Sequence, residues 1–134
     1  MAIQLSVAAR NARLDSIETV VGTSPFLQIR TGAQPATCAT AASGTLLAEL
    51  PLPSDWMGAA SGGSKALAGS WTVAAVATNT AAHYRIVDNA KTTCHEQGTV
   101  TATGGGGDLT LDNVSIATGQ TVTVTSFTKT DGNA

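Results

Sequence analysis

In the stretch Thr121-Val122-Thr123-Val124-Thr125-Ser126-Phe127, apolar side chains alternate with hydroxyl side chains. Successive side chains of a β-strand point to opposite faces, so this period places Val122 and Val124 on one face and the threonines on the other. Valine and threonine are both β-branched and favour the extended backbone. The stretch therefore predicts a half-buried strand near the end of the chain.

Further strands are predicted upstream, wherever short apolar segments lie between turn residues. Turn signals recur about every ten residues, and strands do not alternate with helices, a pattern typical of all-β domains. We therefore predict a mainly β fold, either an antiparallel β-sandwich or a jelly-roll-like barrel, with one N-terminal α-helix. The strands predicted before Thr121 cover residues 26–31, 45–50, 70–77, 83–88, 92–102 and a segment through Leu109 and Leu111.

The beginning of the chain predicts a helix that precedes a single β domain. Ser6 is a suitable N-cap and Gly22 a suitable C-terminal glycine. This gives an N-terminal helix or arm over residues 1–22 and one β domain over residues 23–134. The helix either packs on its own domain or docks on a neighbouring subunit, because an apolar stripe at helical spacing serves both purposes. The apolar candidates for subunit contact are Leu5, Val7, Leu14, Ile17 and Val21.

The composition favours a protein that works in contact with other protein. Charged residues make up 12% of the chain, against roughly 25% in an average soluble protein. The seven Lys and Arg residues are scattered, whereas nucleic-acid binding needs clustered cations. No apolar segment approaches the roughly 20 residues of a membrane-spanning helix, and the first residues do not form a secretory signal. We therefore expect no nucleic acid and no membrane as partner, and a chain that is made and kept in a cytoplasm.

Few residues are suited to catalysis or metal binding. His83 and His95 are the two histidines, and neither a Cys-x-x-Cys nor a His-x-x-x-His spacing is present. Cys94 and His95 are neighbours in a predicted strand, so they point to opposite faces and do not share a metal. A Cys/His hydrolase would need Cys38 or Cys94 beside His83, and no local motif supports an oxyanion hole. We expect no enzyme activity, no cofactor and no metal.

Cys38 and Cys94 have two interpretations. We favour two buried free thiols, because a reducing cytoplasm keeps cysteines unpaired during synthesis. A disulfide between them would close a long loop and stabilise the chain by roughly 2–5 kcal/mol. Such a bridge could form by later oxidation outside the cell.

The run Gly104-Gly105-Gly106-Gly107-Asp108 predicts a hairpin loop and not a ligand site. Calcium-binding β-roll repeats space glycine and aspartate differently and occur in several copies, whereas this run occurs once. A phosphate-binding loop would end in Lys-Ser/Thr and lead into a helix. A turn that enters the strand at Leu109 fits the run best.

Trp56 and Met57, which follow a break at Pro51 and Pro53, also have two interpretations. Aromatic residues make up only 4% of the chain, so Trp56 and Trp71 are expected to anchor the core. Alternatively, Trp56 and Met57 form a contact patch for a neighbouring subunit, since Trp and Met are enriched at the centres of interfaces. Both residues are therefore further candidates for subunit contact.

Several segments of the chain resemble a family of small proteins encoded by tailed bacteriophages and prophages. The resemblance spans nearly the whole chain and lies in residues 8–18 (AARNARLDSIE), 29–33 (IRTGA), 52–57 (LPSDWM), 108–113 (DLTLDN) and 122–134 (VTVTSFTKTDGNA). These are framework segments and not a functional motif, so the resemblance assigns no site residue.

The resemblance implies a structural component of the virion that is assembled in the host cytoplasm. The first expectation is a capsid decoration (cement) protein that binds between capsomers, because many copies then bury apolar surface and stabilise the head shell. Its partners would be the major capsid protein or other virion proteins, with a homo-oligomer or many copies in each particle. A neck, collar or tail component fits the same features. A β-sandwich that binds a receptor or carbohydrate is the alternative of another class, and the small number of aromatic residues argues against it.

Overall fold

The predicted N-terminal helix is present in the structure, a computed structural model that describes residues 3–132. Helix α1 spans Val7–Val21. Ser6 caps its first turn, because the Ser6 hydroxyl accepts a hydrogen bond from the N–H of Ala9 at 3.1 Å. The helix ends at Gly22, whose φ of 87° suits a residue without a Cβ. Both ends of the helix therefore lie where the sequence predicts them.

Eleven strands follow α1 in the described part of the chain, which confirms a mainly β fold. The strands predicted from the sequence are all present, although their ends differ by a few residues. The shortest strands, such as β3 and β5, carry too little periodicity to be predicted. No helix within residues 3–132 has the length and apolar character to span a membrane. The strands are β1 (Phe26–Arg30), β2 (Leu46–Pro51), β3 (Ser64–Ala66), β4 (Trp71–Ala74), β5 (Asn79–Thr80), β6 (His83–Val87), β7 (Cys94–Ala102), β8 (Leu109–Leu111), β9 (Ser115–Ile116), β10 (Thr121–Val124) and β11 (Thr128–Thr130).

The main sheet has five strands in the order β2-β1-β6-β7-β8. β1 lies between β2 and β6 and is antiparallel to both, with Leu27 opposite Leu50 on one side and Ile86 on the other. β6 is also antiparallel to β7. The side chains of Leu27, Leu50 and Ile86 are all fully buried. Since directly opposite residues share a face, they form one wall of the core.

The connection from β7 to β8 is not the hairpin that the glycine run predicted. The two strands are parallel, with Val100 opposite Leu109. Residues 103–108 therefore carry the chain back along β7, so that β8 runs beside β7 in the same direction. Such a short return is made at Gly105 and Gly107, which lie so close to Thr101 that an added Cβ would be 2.8 Å from it. Strand periodicity alone does not distinguish this return from a hairpin.

The remaining strands form three antiparallel pairs, β4 with β10, β3 with β11, and β5 with β9. Aromatic side chains join the β4–β10 pair to the main sheet. The ring centroid of Trp71 lies 6.1 Å from that of Trp56 and 5.5 Å from that of Phe127. Phe127 in turn meets the ring of Tyr84, on β6, edge-on at 5.7 Å. The core is therefore continuous from the main sheet to the smaller strand pairs.

The other face of the main sheet is polar and is covered by the β1–β2 connection, residues 31–45. Gln28, Arg85 and Gln97 lie side by side on adjacent strands of this face. The Gln97 side-chain amide donates to the carbonyl oxygen of Pro35 at 2.7 Å. We call residues 31–45 the covering loop.

The predicted division into residues 1–22 and 23–134 separates two parts that share one core. α1 packs against β3, and Val21 belongs to the same buried cluster as the sheet residues. Residues 1–2 and 133–134 of these ranges lie outside the described residues.

Candidate functional site

Helix α1 is attached to the β domain by polar as well as apolar side chains. The Asn11 side-chain oxygen accepts a hydrogen bond from the N–H of Gly63 at 2.9 Å. The Asp15 carboxylate accepts one from the N–H of Ala60 at 3.1 Å. Both donors lie in the segment between β2 and β3, where the backbone N–H groups need acceptors. The helix therefore turns several of its polar residues inward.

Lys65, on β3, is the centre of this attachment. Its side chain is 2% exposed, and Nζ lies 2.6 Å from the Asp15 carboxylate and 2.8 Å from that of Glu18. Nζ also donates to the carbonyl oxygen of Gly58 at 2.8 Å. Burial acts to lower the pKa of Lys65, but the hydrogen bonds and charges of the two carboxylates outweigh it, so the pKa is raised. Since its charges are paired within the chain, this cluster holds the helix in place.

The opposite face of α1 is left with little charge. Val20 on this face is 67% exposed. Arg13 supplies the charge on this face, and its Nε pairs with the Asp131 carboxylate at 3.1 Å. The Asp15 side chain of the same helix is 47% exposed and is paired with Lys65. Exposed apolar surface next to small neutral residues is suited to contact with another protein. We call the exposed residues on this side of α1 the outward face; they are Ala8, Ala12, Arg13, Ser16, Thr19 and Val20.

A shallow groove of about 200 Å³ lies beside Val20. Its walls come from α1 and from His95 on β7, and most of the helix residues that line it are apolar. The groove extends the outward face towards the main sheet, and we call the two together the helix contact surface. The lining residues are Ser16, Ile17, Val20, Val21 and His95.

Apolar side chains also lie at the start of the described chain. Ile3 is 81% exposed and Val7 is 47% exposed. Leu5, between them, is half-buried. Of the apolar candidates for subunit contact, Val7 is thus the one that the structure leaves well exposed, and Leu5 is partly accessible.

Leu14 and Val21 are not available for subunit contact. Each is 4% exposed, and Ile17 is half-buried against the core cluster. The predicted stripe therefore packs on the chain's own domain, which corrects the interpretation of Leu14 and Val21 as docking residues. The physical reason is that Val21 belongs to the chain's own buried cluster and Ile17 packs against it.

Trp56 and Met57 are buried inside the chain and not on its surface. Trp56 is 0% exposed and Met57 1% exposed. The indole N–H of Trp56 donates to the carbonyl oxygen of Gly22 at 3.1 Å. A contact patch formed by these two residues is therefore wrong for this fold, and the core interpretation is correct.

The fold brings Cys38 and Cys94 together as free thiols. Cys38 lies in the covering loop and Cys94 at the start of β7, and both are half-buried. Burial, and to a smaller degree the neighbouring Cys94 thiol, raise the pKa of Cys38 to about 11. The Cys38 thiol is therefore protonated at neutral pH and is a poor nucleophile.

The two histidines occupy separate environments. His83 is 0% exposed, and its Nδ1 lies 2.9 Å from the carbonyl oxygen of Gly32. His95 lines the groove beside α1, whereas its neighbour Cys94 lines a cavity under the covering loop. These opposite directions agree with the prediction that Cys94 and His95 point to different faces. Within residues 3–132 no three His, Cys, Asp or Glu side chains are grouped in a way that could hold a metal ion.

A second polar cluster joins the last strand to the main sheet. The Tyr84 hydroxyl donates to the Glu96 carboxylate at 2.9 Å, and Lys129 on β11 forms an ion pair with the same carboxylate. Burial raises the pKa of Tyr84. The Lys129 ammonium also lies 4.9 Å from the ring centroid of Phe127, within cation–π distance. The cluster therefore attaches β11 to β6 and β7.

No pattern in the sequence predicted that Val20 and His95 lie on the same surface. Asp15 and Glu18 could have indicated the surface, because these acids share the inward side of α1 with Leu14 and leave Val20 outside. The contribution of His95 comes from a distant strand, so no local pattern predicts it. Comparisons of the chain with protein-family models, with curated proteins and with solved structures found no match.

Proposed function

We propose that this chain is a structural protein of a tailed-phage particle and that the helix contact surface docks it onto the head shell. In this proposal the chain is a capsid decoration (cement) protein, and its partner is the major capsid protein. The observation that carries the proposal is the exposure of Val20 on a helix face with little charge. The resemblance of its framework segments to phage proteins and the 12% content of charged residues support the same conclusion.

The attachment of α1 makes it a suitable docking element. Lys65 and its two carboxylates hold the helix against β3. A surface that is already ordered loses little conformational entropy when it binds, so more of the apolar burial contributes to affinity. Multiplied over many copies, modest docking of each chain would stabilise a whole shell.

We further infer that the β domain is a sandwich or jelly-roll-like arrangement. The support is the burial of Leu27 and Ile86, on the main sheet, in the same cluster as Trp71 and Val122, which belong to the β4–β10 pair. Two sets of strands that face each other across an apolar core are the basic feature of such folds.

A carbohydrate- or receptor-binding module has less support. Such modules present exposed aromatic rings to their ligands, whereas four of the five aromatic side chains are buried. The fifth, Phe26, is half-buried with the Lys91 ammonium 4.2 Å from its ring centroid. A neck, collar or tail component shares the features of a decoration protein and is distinguished from it by its place in the particle.

The test compares Val20→Lys with Val76→Lys on heads that lack this protein. Val76 is the matched control, because it is an equally apolar residue, 61% exposed, outside the helix contact surface. Lysine is compatible with the last turn of a helix, so Val20→Lys should leave α1 intact. We expect Val20→Lys to lower the affinity for heads by about tenfold or more, because a desolvated charge would lie in an apolar contact. Val76→Lys should bind like the wild type.

Bound copies can be counted by quantitative gel analysis and located by cryo-EM. Regular density at local symmetry positions of the shell, with α1 against capsid protein, is the expected result. A ring of density at the portal vertex would indicate a neck or tail component and not a decoration protein. Equal binding of both variants would reject the helix contact surface, and absence of the chain from particles would reject the structural role.

A further inference from the structure

Two polar side chains of the main sheet hold the covering loop by its backbone. Arg85 Nη2 donates to the carbonyl oxygen of Cys38 at 2.7 Å, and the Gln97 amide donates to that of Pro35 at 2.7 Å. The loop is 15 residues long by its bounds, residues 31–45, and most of its side chains are small. Loops of this length within a compact domain usually have a function of their own.

Arg85 is buried, and no acidic side chain among the described residues pairs with it. It is 4% exposed, and none of the ion pairs formed within residues 3–132 includes it. Its Nε and Nη1 atoms are buried and have no hydrogen-bond partner among the described residues. An unpaired buried cation is strongly unfavourable, because desolvation of the charge is not compensated. Apart from the Cys38 carbonyl oxygen that Nη2 binds, the guanidinium therefore has no acceptor among the described residues.

Other positive charges surround the same space. Arg85 lines a cavity of about 260 Å³ together with Arg30 and Lys91. Glu49 lies near these cations, but it already forms an ion pair with Lys91 and accepts a hydrogen bond from the Gln28 side chain. Burial, followed by the nearby Arg85 charge, lowers the pKa of Arg30, and the Glu49 carboxylate offsets only part of this shift. The cavity therefore carries excess positive charge.

We propose that the cavity under the covering loop is a binding site for a small oxyanion, with Arg85 as the principal ligand-binding residue and Arg30 and Lys91 as supporting charges. Phosphate, sulfate and carboxylate groups share the required chemistry, since their oxygens accept hydrogen bonds from guanidinium N–H groups and neutralise the charge. A cavity of about 260 Å³ accommodates an ion of this size together with water. The bound ion would also fix the covering loop, because Arg85 contacts both. This inference does not depend on the helix contact surface.

The experiment measures the melting temperature with inorganic phosphate, sulfate or acetate at constant ionic strength, with sodium chloride as the reference. Wild-type protein should show a saturable rise of about 5 °C once the free ion is tenfold above its Kd. Arg85→Gln should lose this rise. Arg13→Gln, at an arginine that is 63% exposed, is the matched control and should keep it. The acetate arm distinguishes a carboxylate ligand from a tetrahedral anion.

Calorimetric titration of the wild type and of Arg30→Gln covers the case in which Arg85→Gln does not fold. We expect one ion for each chain and about tenfold weaker binding by Arg30→Gln. If none of the three ions binds wild-type protein saturably, the proposal is wrong. Equal binding by Arg13→Gln, Arg30→Gln and the wild type would also overturn it, because the effect would then be a general salt effect.

Discussion

Two of the four consecutive glycines between β7 and β8 lie directly against Thr101. A Cβ on Gly107 would be 2.8 Å from the Thr101 backbone nitrogen, and one on Gly105 would be 2.8 Å from the Thr101 Cβ. The other two, Gly104 and Gly106, have φ values of 87° and 80°, which L-residues rarely adopt. At the scale of single residues, each glycine of the run therefore meets its own steric requirement.

Gly107→Ala should destabilise the protein by about 1–3 kcal/mol, because backbone atoms must move to admit the methyl group. Gly58→Ala is the control, since its added Cβ would meet only the Ala66 carbonyl oxygen, at 3.7 Å. Urea unfolding followed by circular dichroism measures both changes. Equal midpoints for the two variants would show that the parallel return between β7 and β8 is not sterically constrained as described.

At the scale of the element, α1 differs from an ordinary amphipathic helix. Its inward side combines Leu14 and Val21 with the polar residues Asn11, Asp15 and Glu18, which bind backbone N–H groups or Lys65. Polar groups on the inward side leave an outward side with little charge. The same arrangement thus explains how the helix is held and why its outer surface suits a partner.

The attachment of α1 should weaken in acid. The Lys65 hydrogen bond, followed by the N–H of Ala60, lowers the pKa of Asp15 in the folded chain. A lowered pKa means that this carboxylate stabilises the folded state above its unfolded pKa of about 3.9, and that the contribution is lost as the pH falls through the folded pKa. Asp15→Asn should therefore melt below the wild type at pH 7, and the difference should vanish as the pH falls through the lowered pKa of Asp15 in the folded chain.

Thermal melts from pH 7 to pH 2.5 provide the measurement for Asp15→Asn. Asp112→Asn serves as the control, because the exposed Asp112 side chain has no hydrogen bond or ion pair to the described residues. It should stay within about 0.5 kcal/mol of the wild type. A constant difference in melting temperature between Asp15→Asn and the wild type at every pH would show that Asp15 does not stabilise the fold through its charge.

At the scale of the whole molecule, the covering loop joins distant parts of the fold. Cys38 in the loop and Cys94 on β7 are free but adjacent. Oxidised glutathione could convert them into a disulfide: one thiolate attacks the reagent, the second thiol displaces glutathione, and two glutathione thiols are released. The chain between the two cysteines includes β2 to β6, so the bridge would restrict much of the unfolded state.

Oxidation should stabilise the chain by about 2–4 kcal/mol without joining two molecules. Because the pKa of Cys38 is about 11, the reaction should run faster at pH 9 than at pH 7. Thiol titration measures the rate of oxidation, a non-reducing gel detects dimers, and urea unfolding measures the stabilisation. Cys38→Ser should show no stabilisation. Formation of dimers in place of the internal bridge would contradict the placement of the covering loop over β7.

The local elements of this protein follow from the sequence alone. Alternating valine and threonine at residues 121–124 predicts β10, and the caps at Ser6 and Gly22 predict α1. These signals are local, because strand and helix periods and end-capping depend on residues a few positions apart. The mainly β class follows for the same reason, whereas Trp71 is expected in the core because aromatic residues make up only 4% of the chain.

Only the tertiary structure decides how the elements meet. It places β8 parallel to β7, buries Trp56 and Met57, and puts Arg85 beneath the covering loop. Each of these features depends on contacts between residues far apart in the chain, and a period or a cap carries no information about them. Both proposed sites belong to this group, since the groove beside Val20 and the cavity around Arg85 each combine side chains from separate elements.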